Sequence, residues 1–263
     1  MNITSVAIED GVTSIGALAF ESSTLTSINI PDSVTYIGKG AFWASALESI
    51  VIPDSITEIQ YGTFYFCDKL TSVELPDTLT RIGESAFSYS CLDNMEIPDS
   101  VIEVESWAFA WSALTSAKLS KSMNSVGESI FNGCSSLATV YIPVTIAYEE
   151  GKNPFGYCVA LTDVYYSGSE KEWYENSWDL DANLAAANIH FNGYSMDTAV
   201  LGDANGDEKI DYLDAMTALR ADAELIELTD EQLSAADVNG DGSVDSLDAI
   251  LILRYDAGLI ESF

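Results

Sequence analysis

Apolar positions in the first two-thirds of the chain fall into one unit that returns at nearly constant intervals. Its most regular member is a phenylalanine, at Phe20, Phe42, Phe64, Phe87, Phe109, Phe131 and Phe155, with steps of 22, 22, 23, 22, 22 and 24 residues. Ahead of it comes an Ile/Val-Gly pair, as in Ile15-Gly16, Ile37-Gly38, Ile82-Gly83 and Val126-Gly127. Behind it come a leucine and an apolar–polar–apolar alternation: Leu25 with Ile28 and Ile30, Leu47 with Ile50 and Ile52, Leu70 with Val73 and Leu75, Leu92 with Met95 and Ile97. A Pro-Asp-Ser/Thr turn closes the unit at Pro31, Pro53, Pro76 and Pro98. Alternation with period two predicts a short strand with one face inward, and proline, which cannot donate to the ladder, ends it. One unit cannot bury its apolar face alone; stacked neighbours bury a continuous column. The pattern predicts a right-handed solenoid with short parallel strands, each inward Ile, Leu or Phe contributing roughly 1.5–3 kcal/mol before conformational entropy is subtracted.

Some units drift, with Gln60 and Glu105 in place of the glycine and Leu119-Ser120-Lys121 in place of the turn. The array opens mid-unit at Ile3 without a cap, an opening that carries the expectation of chain once preceding Met1. Near its far end, Ser169 and Glu172 have capping-box spacing for a short helix carrying Trp173. Cys67, Cys134 and Cys158 each lie three residues after the repeat Phe, and Cys91 lies four after. A fixed slot in a repeat is a packing slot, which predicts free buried thiols; disulfides between neighbouring turns are the alternative. Trp43, Tyr65, Phe66, Tyr89 and Trp111 also fall just after the repeat Phe, on adjacent turns. Either they pack repeat against repeat, or they form an edge that grips sugars or a protein partner.

The pattern changes after a short link, about Gly193 to Val200, which is not Pro/Thr-rich and so predicts limited motion between the parts. Two acidic twelve-residue loops follow, DANGDEKIDYLD from Asp203 to Asp214 and DVNGDGSVDSLD from Asp237 to Asp248. Each leads into an apolar helix, Ala215 to about Ala221 and Ala249 to about Tyr255. Between them TDEQLSAA reads as a further helix with Thr229 as its N-cap. Both loops place oxygen side chains at positions 1, 3, 5, 9 and 12, a spacing that wraps a chain around a hard cation with a backbone carbonyl at position 7, and it points to calcium. Position 6 is a sharp turn that favours positive φ; loop 2 has Gly242 there and loop 1 has Glu208. A non-glycine residue in that conformation costs roughly 1 kcal/mol or more, so the Asp203–Asp214 loop is expected to be the weaker site.

Charge narrows the function classes. Acids outnumber bases 42 to 10, for a net charge of −32. That argues against nucleic acid, which requires a basic footprint, and against anionic membrane surfaces. Hydrophobic content of 48% is that of a folded chain, and no apolar run reaches the roughly 18 residues of a membrane span. The segment MNITSVAIED lacks the basic and apolar regions of a signal peptide, so none is expected within this chain. The single histidine, His190, reads as a structural side chain. Zinc is not expected, for want of paired C-x-x-C. No nucleotide-binding or metalloprotease motif occurs, and nothing singles out a carboxylate pair for glycoside hydrolysis. No catalytic residue is predicted, and the chain is read as a non-enzyme.

Two resemblances extend this reading. The array from Ile3 to about Asn192 resembles bacterial leucine-rich repeats of the BspA-like type, and Tyr165 to Gly193 resembles that family's C-terminal cap. The resemblance implies an extracellular or surface binding module, here with an unknown protein or carbohydrate ligand. The domains are then a solenoid over 1–192 with its cap over about 165–192, a linker over 193–200, and a second module over 201–263. That duplicated loop–helix module resembles type I dockerins, which implies a small all-α domain with two EF-hand-like loops, binding the cohesin module of a scaffoldin in a cellulosome-type assembly. The resemblance makes Asp203, Asn205, Asp207, the Lys209 carbonyl, Asp211 and Asp214 the ligands of one calcium ion. Asp237, Asn239, Asp241, the Ser243 carbonyl, Asp245 and Asp248 would hold a second. It places partner contacts at Tyr212, Leu213, Leu219 and Arg220 and, in the second repeat, at Ser246, Leu247, Leu253 and Arg254. The Tyr212/Ser246 mismatch would bias an otherwise twofold docking face; Leu219 and Leu253 are either contacts or core. The protein is expected to be a monomer before docking, held outside the cell through the scaffoldin. The rival reading is the tethering portion of a polysaccharide-degrading hydrolase whose catalytic module lies upstream or within the solenoid.

Overall fold

The computed structural model describes residues 4–181, 183–184, 186–191, 201–205, 209–223, 225–226, 228, 230–260 and 263. The chain divides into two compact units, Met1–Tyr194 and Ser195–Phe263. The first is a parallel-strand β-solenoid of about eight turns.

Successive turns carry β1 (Ser5–Ala7) and β2 (Ser14–Ile15), β3 (Ser27–Asn29) and β4 (Tyr36–Ile37), β5 (Ser49–Val51) and β6 (Glu58–Ile59), β7 (Ser72–Glu74) and β8 (Arg81–Ile82), then β9 (Asn94–Glu96) and β10 (Glu103–Val104). The later turns carry β11 (Ser116–Lys118), β12 (Thr139–Ile142) and β13 (Asp163–Tyr166), and β14 (Asn188–Phe191) ends the sheet. The longer strands are those expected from the alternation; β9, β11, β12, β13 and β14 form one parallel ladder. The two-residue strands are a second column, formed where the Ile/Val-Gly pairs stand, with β6, β8 and β10 in parallel register.

A third hydrogen-bonded column lies at the phenylalanines themselves. Each Phe amide donates to the carbonyl just before the next Phe, from Phe20 to Ala41 at 2.8 Å through Phe131 to Pro154 at 3.0 Å. From Phe20 to Phe131 the residues two before and two after each Phe donate likewise, and these positions sit at positive φ, for example Ser85 (55°) and Tyr89 (59°) around Phe87. The rings stack into an unbroken column, with centroids from 5.2 Å (Phe64–Phe87) to 5.9 Å (Phe131–Phe155). From Phe42 onward every one is fully buried. The turn hydroxyls explain the Ser/Thr after Pro-Asp: Ser55 donates to the Val34 carbonyl of the previous turn at 2.5 Å, and Ser100 to Leu79 at 2.6 Å.

The column is closed by aromatic plugs. Helix α1 (Glu170–Glu175) is held by the Ser169–Glu172 capping box, and it buries Trp173 against Tyr166. Trp178 follows the stack beyond Phe155 at 6.1 Å, and its indole nitrogen donates to the Ile146 carbonyl at 2.9 Å.

The second unit contains α2 (Tyr212–Asp222), α3 (Asp230–Ala236) and α4 (Ser246–Asp256). Helices α2 and α4 start about one turn earlier than the apolar pattern indicated, because Asp211 and Asp245 cap them. The Thr229 cap, the 193–200 link, Asn192 and Gly193 lie outside the described residues. The core of the unit is small: Ala215, Ala218, Val238, Ala249 and Ile252 are buried, with Ile210, Val244, Leu251 and Phe263 packed against them.

Candidate metal centre and partner surface

Loop 2 is described throughout. Its backbone reverses at Gly240 and Gly242, with φ of 71° and 87°. The Asp237 carboxylate accepts from the Asp241 and Gly242 amides at 3.1 and 2.8 Å. The Asn239 side-chain oxygen accepts from the Asp241 amide at 2.8 Å, and Asp241 accepts from the Ser243 amide at 3.0 Å. At the helix end Asp245 caps the Leu247 amide at 2.7 Å. Asp248, fully buried, reaches back with one oxygen to the Asn239 amide (3.2 Å) and with the other to the Asp245 amide (3.0 Å).

Loop 1 repeats the helix end of this pattern. Asp211 caps the Leu213 amide at 2.7 Å, and buried Asp214 accepts from the Asn205 and Asp211 amides at 3.0 and 2.8 Å. Asp203 is buried, Asn205 half-buried and Lys209 exposed. Asp207 and Glu208 lie outside the described residues, so the expected strain at position 6 of loop 1 has no geometry to set beside Gly242.

Burying a carboxylate is costly unless it is hydrogen-bonded. Asp214 and Asp248 meet this with two amides each, at helix N-termini where negative charge is favoured. Among the described residues no group of three or more Asp, Glu, His or Cys converges as ion ligands; the carboxylates of loop 2 are turned onto its own amides. The donor set is nonetheless all oxygen, gathered by one tight turn, and it fits a hard cation such as calcium.

Outward from the loops, α2 and α4 present an apolar surface with one arginine each. Tyr212, Leu213, Ser246 and Leu247 are exposed at the helix starts, and Arg220 and Arg254 at the far ends. Leu219 and Leu253 are 41% and 42% exposed, so they are surface residues rather than core. Met216 and Ile250, one helical turn on from Tyr212 and Ser246, are exposed in the same run. Sequence reasoning passed over them because apolar residues inside a helix read as core; their i+3/i+4 spacing to Leu213, Leu219 and Leu247, Leu253 was the available signal.

On the solenoid, Trp111 and Phe66 are exposed, while Trp43, Tyr65 and Tyr89 are half-buried and in ring contact: Trp43–Tyr65 at 4.4 Å and Tyr65–Tyr89 at 5.7 Å. Cys67, Cys134 and Cys158 are buried free thiols. Cys67 and Cys134 lie beside Ser45 and Ser112 of the preceding turn, at 3.4 and 3.2 Å. Cys91 departs from the packing expectation and is exposed: one residue out of slot, it points off the column, its thiol donating to the Asp68 carbonyl at 3.0 Å. Burial pushes all three buried thiols up, Cys158 to about 12. His190 lies 2.9 Å from Asp163 and stacks on Tyr165, and this contact holds the Asp163 carboxyl below the usual range.

A parallel solenoid of short leucine-marked turns, followed by a duplicated acidic loop–helix unit, defines a repeat protein with an EF-hand-like second module. The chain belongs to the BspA type leucine rich repeat family, whose model matches residues 1–110 and 57–185 in 6 copies. Residues 201–255 match the dockerin type I domain. Both are non-catalytic module types, and type I dockerins generally bind calcium. Among solved structures the chain is similar to a leucine rich repeat protein of T. pallidum (28% identity over 52% of this chain and 68% of that one, TM-score 0.49). It is also similar to a leucine-rich repeat protein of Bacteroides ovatus (22% identity, 70% and 56%, TM-score 0.39). A leucine rich cell surface protein of Faecalibacterium prausnitzii is a third (26% identity, 65% and 62%, TM-score 0.38). The chain thus spans between 56% and 68% of the length of these relatives. No curated protein matches it. Among the described residues no helix is long and apolar enough to cross a membrane.

Proposed function

We propose that the 201–263 unit docks this chain onto the cohesin module of a scaffoldin in a calcium-dependent manner, and that the solenoid is the non-catalytic binding module it displays outside the cell. The observation that carries this is the repetition of one device: an acidic loop, a capping Asp (Asp211, Asp245), a buried Asp (Asp214, Asp248), and a helix with an exposed Leu-Leu-Arg surface. Apolar anchors with a few charges suit a compact protein interface.

Calcium would be held in loop 2 by Asp237, Asn239, Asp241, the Ser243 carbonyl and Asp248, with Asp245 acting through water, and in loop 1 by Asp203, Asn205, Asp207, the Lys209 carbonyl, Asp211 and Asp214. The bound ion supplies positive charge that fixes the loop. The chain's own residues aim the helices: Asp211 and Asp245 set where α2 and α4 begin, and hence which face carries Leu213, Leu219 and Arg220 or Leu247, Leu253 and Arg254.

The test is a cohesin pull-down with the full chain, with and without excess chelator. Binding is expected only with calcium, and a complex that survives chelation overturns the mechanism. Loop 1 is the weaker site in this reading, so Glu208→Gly should raise its affinity about fivefold or more, from the roughly 1 kcal/mol strain removed. A calcium titration in which loop 1 fills first overturns that ranking.

A further inference from the structure

The residue two after each repeat Phe sits at positive φ in every turn, and from Ser22 to Gly133 it donates its amide to the next turn. Small residues take this slot at Ser22 (52°), Ala44 (53°) and Gly133 (77°). Four turns instead carry Phe66, Tyr89, Trp111 and Tyr157, at φ of 59–60°. Bulky residues are disfavoured in this conformation, and the fold does without them in neighbouring turns. The fold sets this backbone conformation in every turn, so what distinguishes these four turns is the side chain, a large ring where a small residue would serve.

The four rings form a ladder along the solenoid surface. Phe66 stacks on Tyr89 at 4.3 Å, Tyr89 on Trp111 at 6.2 Å, and Trp111 reaches Tyr157 at 6.5 Å. The last step crosses the turn in which the slot holds Gly133. A Cβ on Gly133 would stand 2.4 Å from the Trp111 indole, so the glycine is what lets that ring lie over the gap. Trp111 remains 47% and Tyr157 70% exposed. Beside Tyr89 and Trp111 a shallow cleft of about 280 Å³ is walled by Tyr65 and Trp107 and floored by Ser85, Ser88 and Ala110.

Resting on the reading of the solenoid as a binding module, we propose that this ridge binds a linear, neutral polysaccharide. Three features select that occupant. The rings follow one another along the solenoid, on three successive turns and again beyond the Gly133 turn, so the complementary ligand is one whose own units recur along a line. No carboxylate, lysine or arginine lines the cleft, and the chain's net charge of −32 repels polyanions. A sugar ring presents an apolar C–H face to the exposed part of an aromatic ring such as Trp111, and hydroxyls to Ser85 on the cleft floor. A proline-rich peptide fits less well, because a polyproline II helix returns the same face every third residue, about 9 Å, against ring steps of 4.3, 6.2 and 6.5 Å.

The test is affinity electrophoresis of the full chain through gels containing a soluble neutral glucan, a neutral mannan, polygalacturonate or no polymer, with a proline-rich peptide titrated separately against tryptophan fluorescence. Retardation by a neutral glycan is expected. Trp111→Ala and Tyr89→Ala should each weaken it about tenfold, the loss expected for one stacked aromatic contact, and Trp111→Phe should restore part of it. Both alanine variants should stay folded, since Ala44 already fills the slot, with a melting temperature lowered only by the lost ring contacts. Glycan binding unchanged by these variants overturns the ridge while leaving the solenoid a binding module. Binding of the peptide or of polygalacturonate alone overturns the choice of ligand, and binding of none of the four overturns the proposal altogether.

Discussion

The solenoid buries a stacked phenylalanine column, a leucine column and both inward faces of its strands, and seals the end with Trp173 and Trp178. Among the described residues, the loop–helix unit buries the cluster Ala215, Ala218, Val238, Ala249 and Ile252 and a few further alanines. Alanines remove little apolar surface from water, and stabilisation scales with that surface. One region is therefore held by contacts that are internal and indifferent to solvent ions. The other spends its sequence on carboxylates and on an outward-facing apolar surface. The contrast teaches where to look for each region's stability: in the solenoid in its buried columns, and in the loop–helix unit, on the reading proposed above, partly in the ion that its acidic loops would hold.

Calcium removal tests the contrast hardest. With free calcium about a thousandfold above its Kd, chelation should withdraw ~4 kcal/mol from the loop–helix unit. Its helical circular dichroism should fall while the calorimetric transition of the solenoid stays in place. If both transitions move together, the two regions are not independently held. The reverse experiment is Phe87→Ala, which opens a gap in the middle of the ring column. It should destabilise the solenoid by ~3–5 kcal/mol and leave calcium-dependent cohesin binding unchanged.

A smaller effect sharpens the account of the second unit. Phe263 stacks on Tyr255 at 4.9 Å and lies within reach of Gly202 at the entrance to loop 1. Phe263→Ala should lower the stability of that unit by ~1–3 kcal/mol and weaken loop 1 before loop 2 in a calcium titration. An effect absent at neutral pH belongs to the thiols. Native protein should take up iodoacetamide at Cys91 and resist at Cys67, Cys134 and Cys158, as read by mass spectrometry. Because Cys158 is raised from 9.0 to about 12, between those values the unfolded chain has shed its proton and the folded chain has not. Stability of the solenoid should therefore fall as pH rises through that window, and Cys158→Ser should flatten the decline.

The period near 22 residues, the Pro-Asp turns and the Ser169–Glu172 box made the solenoid and its cap legible, because a repeat shows the same packing problem many times over. The acidic loops were legible for a related reason: metal-binding spacing is local, and both copies lie within twelve residues. The two-residue strands and the positive-φ positions around each Phe were not legible. Both arise from hydrogen bonds to the next turn, and a single turn carries no trace of them beyond an occasional glycine. Met216 and Ile250 were missed because an apolar residue in a helix does not announce which way it faces.

By itself, then, the sequence determined the repeat, the order of the modules, the oxygen donors and their spacing, since each depends on neighbours along the chain. Tertiary structure alone decided that Leu219 and Leu253 face solvent, that Cys91 leaves the column its fellow thiols share, and that Gly133 makes room for the Trp111 ring. Those outcomes depend on atoms brought together from different turns or helices, whose separation in space no spacing along the chain records.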